Sequence, residues 1–134
     1  MDSTDLMYQE NILDHYKNPR NFGKIDKASV HHNEYNPLCG DQIDLFLVID
    51  ENKKVVDVKF NGHGCAISQA SASLLTEHIK GKSLEELQKL TKEDILEMLG
   101  IPLSPVRLKC GLLSLDTLKN SILIFEKYVR KDES

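Results

Sequence analysis

Apolar residues alternate with polar ones in two neighbouring stretches of the chain, which predicts two β-strands. The alternating positions are Ile43, Leu45, Leu47 and Ile49, followed by Val56, Val58 and Phe60. Turn-forming residues at 50–53 separate the two stretches, so we expect an antiparallel hairpin. The more polar stretch at 29–35 predicts a further strand at the edge of the same sheet.

The remaining stretches have helical character. We predict helices at residues 5–17 and 65–80, and two short helices that open with capping boxes at Ser83 and Thr91. Pro102 and Pro105 predict extended chain over residues 101–108. A last helix is predicted after them, with one core stripe of Leu112, Leu115, Leu118, Ile122, Phe125 and Val129. This order predicts an α+β fold: a small three-stranded antiparallel sheet with helices packed on one face, in a single domain over residues 1–134.

Composition and charge narrow the classes of function. The net charge is −4 and no basic tract is present, which argues against nucleic acid as a partner. The longest apolar run, residues 45–49, is too short to span a membrane. The acidic N-terminal residues do not resemble a secretory signal, so we expect a cytoplasmic protein. Three cysteines, an odd number, argue against a disulfide framework and leave metal binding, thiol chemistry or burial.

The segment from Phe60 to Ser73 shows why Cys65 is a candidate functional residue. Glycines on both sides of His63 permit a tight turn, and Cys65 then stands where a helix is predicted to begin. Helix N-termini favour the thiolate, the form that attacks sulfur and binds metal. The alternative is a helix of small packing residues with an incidental buried cysteine.

The other two cysteines also lie at predicted junctions between elements. Cys39 precedes the second strand, Cys110 is predicted at the start of the last helix, and Asp41 follows Cys39 by two residues. If these junctions meet at one end of the sheet, they supply four anionic ligands for a tetrahedral site. Thiolates suit zinc and iron–sulfur clusters, and a carboxylate is a harder, more exchangeable ligand. The alternative is three buried cysteines and a solvated aspartate.

Three ordered motifs give the chain a family resemblance. They are Asn-Pro-Leu-Cys-Gly-Asp at residues 36–41, Gly-Cys-Ala-Ile-Ser at 64–68, and Lys-Cys at 109–110 before a leucine-rich helix. With the opening Leu-Asp-His-Tyr-Lys-Asn-Pro-Arg-Asn at residues 13–21, they resemble the IscU/SufU/NifU-N family of iron–sulfur cluster assembly scaffolds over residues 7–125.

The resemblance implies an IscU/SufE-like fold and a non-enzymatic scaffold. Such a scaffold accepts sulfur from a cysteine desulfurase, builds a cluster, most simply [2Fe-2S], and transfers it to apo-proteins. In this mapping Cys39, Asp41, Cys65 and Cys110 match the ligands of the cluster, or of zinc in its place. Cys110 is our preferred persulfide acceptor and Cys39 its rival.

Two departures from the family pattern keep alternatives open. Lys109 stands where IscU has histidine, as in SufU-like members, and its charge could favour the Cys110 thiolate. The insertion usual in SufU-like members between the second and third cysteines is missing. The lysine favours an alternative function, a zinc-bound SufU-like sulfurtransferase that relays persulfide sulfur, whereas the missing insertion argues against it. A third alternative is a zinc-stabilised interaction domain. Leu103 and Ser104 interrupt the segment matching the chaperone-binding motif of IscU, which weakens the expectation of an Hsp70-type partner.

Several other polar residues are weaker candidates. His63 could approach the site as a donor or ligand, although a solvated loop histidine is more common. His15 and His78 are interpreted as surface or hydrogen-bonded side chains. The remaining candidates are His31 and His32 for adventitious metal, and Lys17 and Arg20 for a partner protein.

Overall fold

The computed structural model describes residues 3–37 and 40–133 of the chain. The elements in this part are α1 (Ser3–Lys17), β1 (Val30–Asn36), β2 (Asp41–Ile49), β3 (Val55–His63), α2 (Ala66–Ile79), α3 (Leu84–Gln88), α4 (Lys92–Leu99) and α5 (Pro105–Glu133). The strands form one antiparallel sheet in the order β1-β2-β3. Helices α2 and α5 pack on its apolar face, which confirms the predicted α+β architecture.

Alternation along the strands determines which face of the sheet is buried. Ile43, Leu45 and Leu47 of β2 point into the core together with Val58 and Phe60 of β3. The opposite face carries polar side chains, among them a hydrogen-bonded set of His31, Asn33 and Asp44. The predicted period of two is thus confirmed for these positions. It fails at Val56, which is 48% exposed while Val55 is buried, because the strand register shifts between Val48 and Ile49.

The predicted helix caps are present. Ser83 and Thr91 each form a capping box, with Glu86 and Asp94 respectively. The helix predicted at residues 65–80 is present as α2, with Cys65 as its N-cap residue and Lys80 as its C-cap. No helix in the described part of the chain is long and apolar enough to cross a membrane.

The start of α5 corrects one prediction. Residues 105–108 are helical and not extended, because Ser104 caps the helix and Pro105 is its first residue. Proline is favoured at this first position, where its missing N–H would have no partner within the helix. Cys110 therefore lies in the second turn of α5 and not at its N-terminus.

The core stripe predicted on the last helix is confirmed. Leu115, Leu118 and Ile122 are buried, while Leu112 and Phe125 are partly buried against the same core. Helix α5 also approaches α2 closely, since the Ser71 hydroxyl donates to the Gly111 carbonyl at 2.6 Å. This contact matters for the site because Gly111 directly follows Cys110.

Helix α1 packs on α2, and Ile12 and His15 are its buried residues among those with described side chains. The predicted amphipathic pattern holds only in part, since Ile12 is buried but Leu13 and Tyr16 are 49% and 43% exposed. His15 is buried, and its Nδ1 lies 2.7 Å from the Ser73 hydroxyl. Burial, followed by the positive charge of Arg20, lowers the pKa of His15.

We predict that Gly62→Ala will strongly destabilise the sheet. Gly62 lies opposite Ile43 with φ at +146°, and a Cβ there would come within 2.1 Å of the Gln42 carbonyl oxygen. We expect the free energy of unfolding to fall by more than about 2 kcal/mol in urea denaturation.

Gly81→Ala is the matched control for this prediction. Gly81 also has a positive φ, +88°, but no neighbouring atom lies within 4 Å of its Cβ position. It should therefore show only the backbone strain, about 1 kcal/mol. Equal losses in the two variants would contradict the role given to the close approach at Gly62.

Candidate metal centre

The site begins where β2 starts and β3 ends. Gln42 pairs with His63, so the antiparallel register brings the first residue of β2 beside the turn that leads into α2. The Cys65 amide N–H donates to Oδ1 of Asp41 at 3.1 Å. The Cys65 thiol lies 3.6 Å from Oδ2 of the same carboxylate. Asp41 and Cys65, which the sequence proposed as ligands, are thus in direct contact.

Cys65 needs this carboxylate for a structural reason. As the N-cap residue of α2 it makes no side-chain capping bond of its own, and the first amides of a helix lack partners within the helix. Asp41 satisfies one of these donors and places a negative charge near the positive end of the helix dipole. The side chain of Cys65 is half-buried, whereas Asp41 is only 2% exposed.

A small cradle forms around the carboxylate and the thiol. A Cβ on Gly64 would lie 2.5 Å from Oδ1 of Asp41 and 2.6 Å from the Ser68 hydroxyl. Ser68 is buried, donates to the Cys65 carbonyl at 3.1 Å and lies 3.9 Å from its sulfur. Only a residue without a side chain at position 64 lets these groups approach so closely.

Cys110 completes the described part of the site from α5. One ligand atom from each of Asp41, Cys65 and Cys110 lies within 4.8 Å of the other two. Cys110 is 2% exposed, so helix α5 presents its sulfur from the interior. The separation permits a shared metal ion or a small cluster after modest side-chain movement. Cys39, the fourth predicted ligand, lies outside the described residues.

The donor set fits the groups that the sequence suggested. Two sulfurs and one carboxylate oxygen suit zinc or iron in a tetrahedral site, and they are too soft a set for magnesium or calcium. A fourth ligand is still needed, and Cys39 directly precedes Gly40 at the start of β2.

The structure separates the other histidine candidates from this centre. His31 stacks on Phe46 on the outer sheet face, while His32 contacts Glu34 on the helix side. The two neighbours therefore point to opposite faces and do not form a metal-binding pair. His63 is exposed at the end of β3.

His78 and the predicted partner-binding cations belong elsewhere in the fold. Burial lowers the pKa of His78. Arg20, in the loop after α1, forms an ion pair with Asp14 near the end of that helix, and the Lys17 side chain is exposed. Lys109 is exposed and lines a groove beside the site together with residues of β1.

Sequence reasoning missed Ser68 and the role of Gly64. The Gly-Cys-Ala-Ile-Ser motif contained both, and a serine three residues after an N-cap is well placed to return to the cap residue. The contact between Gly64 and Asp41 had no sequence signal, because it depends on strand register.

The chain is similar to known proteins over most of its length. The family model described as NifU-like N terminal domain matches residues 7–132. The chain is 44% identical over 119 residues to the iron–sulfur cluster assembly enzyme IscU of Drosophila melanogaster, covering 87% of this chain and 76% of that protein. It is 40% identical over 120 residues to the iron–sulfur cluster assembly scaffold protein IscU of Haemophilus influenzae, covering 87% and 94%.

A solved structure of a related protein has a similar fold. A putative iron–sulfur cluster assembly scaffold protein for the SUF system, from Fervidobacterium islandicum AW-1, superposes with a TM-score of 0.76 at 34% identity. The alignment covers 90% of this chain and 99% of that one. The family model and these relatives extend over most of the sequence, and the chain belongs to the NifU-like N-terminal domain family, which includes IscU-type proteins.

Proposed function

We propose that this chain is a scaffold on which an iron–sulfur cluster is assembled and from which the cluster passes to apo-proteins. The observation that carries the proposal is the convergence of Asp41, Cys65 and Cys110 within 4.8 Å at one end of the sheet. The relatives named as cluster assembly proteins support the same function. The cluster is cargo in this proposal, not a permanent cofactor.

The proposed ligands are Cys39, Asp41, Cys65 and Cys110, and the proposed cargo is [2Fe-2S]. Sulfur would come from a cysteine desulfurase as a persulfide. A site thiolate attacks the outer persulfide sulfur, the S–S bond breaks, and the desulfurase cysteine leaves as a thiolate. An external reductant, such as a dithiol or an electron-transfer protein, then supplies two electrons per transferred sulfur, which leaves as cluster sulfide and regenerates the site thiolate. The half-buried Cys65 gives the cargo an exposed side, while the buried Asp41 and Cys110 shield the other.

A zinc-bound sulfurtransferase is the second candidate, and Lys109 favours it. A lysine supplies no useful ligand at neutral pH, and here its side chain is exposed beside the groove. The same thiolates would then hold zinc and relay persulfide sulfur without building a cluster. A zinc-stabilised interaction domain would bind zinc and take up no sulfur.

Anaerobic reconstitution with ferrous iron, cysteine, a desulfurase and a dithiol reductant tests the proposal. We expect iron and acid-labile sulfide in equal amounts, visible charge-transfer absorbance, and loss of both in Cys65→Ser. His63→Ala, exposed two residues earlier, should behave like the parent protein. Persulfide on a zinc-loaded protein without labile sulfide would instead establish the relay, and zinc without any added sulfur would establish the interaction domain.

We predict that Asp41→Ala makes the cluster longer-lived and slower to transfer. A carboxylate exchanges with water or an incoming thiol more readily than a thiolate does, so Asp41 gives the site one weak bond for release. The variant should also lose about 1 kcal/mol of stability, because the Cys65 amide loses its acceptor. Decay of the visible absorbance after addition of an apo-acceptor measures the transfer rate.

Asp44→Ala is the matched control for Asp41→Ala. Asp44 lies in the same strand but on the outer face, where it contacts His31 and Asn33. Its cluster lifetime should equal that of the parent. An unchanged transfer rate in Asp41→Ala would remove Asp41 from the ligand set.

We also predict that Cys110 accepts persulfide sulfur from the desulfurase, with Cys39 as rival. Because Cys110 lies in the second turn of α5, the helix N-terminus is no longer a reason to expect a thiolate there. The positive charge of the adjacent Lys109 still favours the thiolate. Mass spectrometry after incubation with desulfurase and cysteine should show an added 32 Da in the parent and none in Cys110→Ser. Labelling of Cys110→Ser at the parent level would assign the sulfur to another cysteine, and Cys65→Ser is the parallel control.

A further inference from the structure

The two edges of the sheet differ in their backbone hydrogen bonds. The edge of β3 is covered at both ends: Phe60 exchanges backbone hydrogen bonds with Asn21 and Gly23, and Val55 does so with Gly81 and Lys82. Strand β1 is hydrogen-bonded to β2 on one side. Within residues 3–37 and 40–133, no backbone hydrogen bond is made on the other side of β1 from His31 to Tyr35.

A groove runs between this open edge and α5. Its first section, a cavity of about 380 Å³, is lined by residues 34–37 of β1 and the following turn and by Lys109, Leu112, Leu113 and Asp116 of α5. A second section of about 270 Å³ continues along His32, Asn120, Leu123, Ile124 and Lys127. Glu34 lines both sections, so they adjoin. The groove ends beside the metal centre, because Lys109 precedes Cys110.

Apolar side chains line the groove, with basic residues at its two ends and acidic residues between them. Leu112 and Leu113 line the first section, and Leu123 in the second is 55% exposed. Lys109 and Lys127 stand at the two ends, and Glu34 and Asp116 stand between them. An extended peptide with a central basic side chain complements both the apolar surface and the charges.

The pKa values of the two central carboxylates, Glu34 and Asp116, are shifted in opposite directions. Desolvation opposes ionisation of Glu34, but hydrogen bonds with His32 and Asn120 hold its pKa below the usual value. Asp116 is exposed at the groove wall, where partial desolvation and then the charge of Glu34 raise its pKa. Asp116 makes no hydrogen bond or ion pair within the described residues, so a cation placed beside it would relieve the repulsion.

We propose that a partner protein docks by adding an extended segment as a fourth strand along the open edge of β1, with a lysine or arginine between Glu34 and Asp116. Strand addition gives affinity through backbone hydrogen bonds, and side chains facing the groove give specificity. The central acidic pair disfavours neutral and acidic strands, which restricts the edge to basic segments. The inference rests on the proposed function only in identifying the partner as a protein that exchanges sulfur or cluster with the site.

A synthetic peptide tests the docking without any cluster chemistry. The probe has seven residues, as β1 does, with lysine at the centre, valine two positions away on each side and threonine elsewhere. Added to the zinc-loaded, isotope-labelled protein, it should shift the NMR signals of residues 31–36 and of the α5 residues lining the groove. It should also slow amide exchange in β1 and give cross-strand contacts between the peptide and β1.

Charge variants test the specificity. Asp116→Asn should weaken binding of the lysine peptide about threefold, the size expected for one exposed ion pair. A peptide with central glutamate should bind more weakly than the lysine peptide to the parent, and Asp116→Lys should reverse this order. Glu126→Gln, a carboxylate of α5 that does not line the groove, should leave affinity unchanged.

Three outcomes would overturn the inference. They are shifts confined to another surface, equal affinity for the lysine and glutamate peptides, and concentration-dependent shifts at β1 without peptide, which would show a second copy of this chain on the edge. Cluster assembly and transfer, measured separately on the same preparations, test the proposed function. If cluster assembly fails, the peptide result still holds. If the peptide does not bind, the proposed function is unaffected.

Discussion

The hydrogen bond from the Cys65 amide to the Asp41 carboxylate joins the sheet to the helical layer at the functional end of the molecule. It connects the first residue of β2 with the cap of α2, two positions that the whole β2–β3 hairpin separates along the chain. A carboxylate at a helix N-terminus is a charge-assisted acceptor, stronger than a neutral one. Because the same carboxylate holds one oxygen 3.6 Å from the Cys65 sulfur, the fold and the metal centre share this contact.

Small residues make the remaining approach possible. Gly64 leaves room for Asp41 and Ser68 on the sheet side of Cys65. On the other side, a Cβ at Gly111 would lie 3.2 Å from the side chains of Leu99 and Leu103, and Ser71 bonds to the Gly111 carbonyl. Close packing at this point sets the depth of α5 against α2, and thereby the distance from Cys110 to the other two ligands.

The strands and the capped helices could be predicted because each has a local signal. Alternating residues such as Leu45 and Leu47 specify a strand, and Cys65 stands directly after a glycine turn. The start of α5 was predicted wrongly because Pro105 was interpreted as a breaker, although a serine followed by proline is typical of an N-cap and first helical position. The groove had no local signal, since Glu34 and Asp116 come together only through the packing of α5 on β1.

Helix α5 links the open edge of the sheet to the metal centre. Its second turn carries Cys110, and the next two turns carry Leu113 and Asp116 in the groove wall. A helix is stiff over such a length. A segment that docks between β1 and α5 therefore contacts the same rigid helix that carries Cys110. The covered β3 edge leaves this as the side on which backbone pairing is open within the described residues. Docking there would orient a partner along β1 toward residue 37, and hence toward the end of the molecule where Cys65 and Cys110 lie.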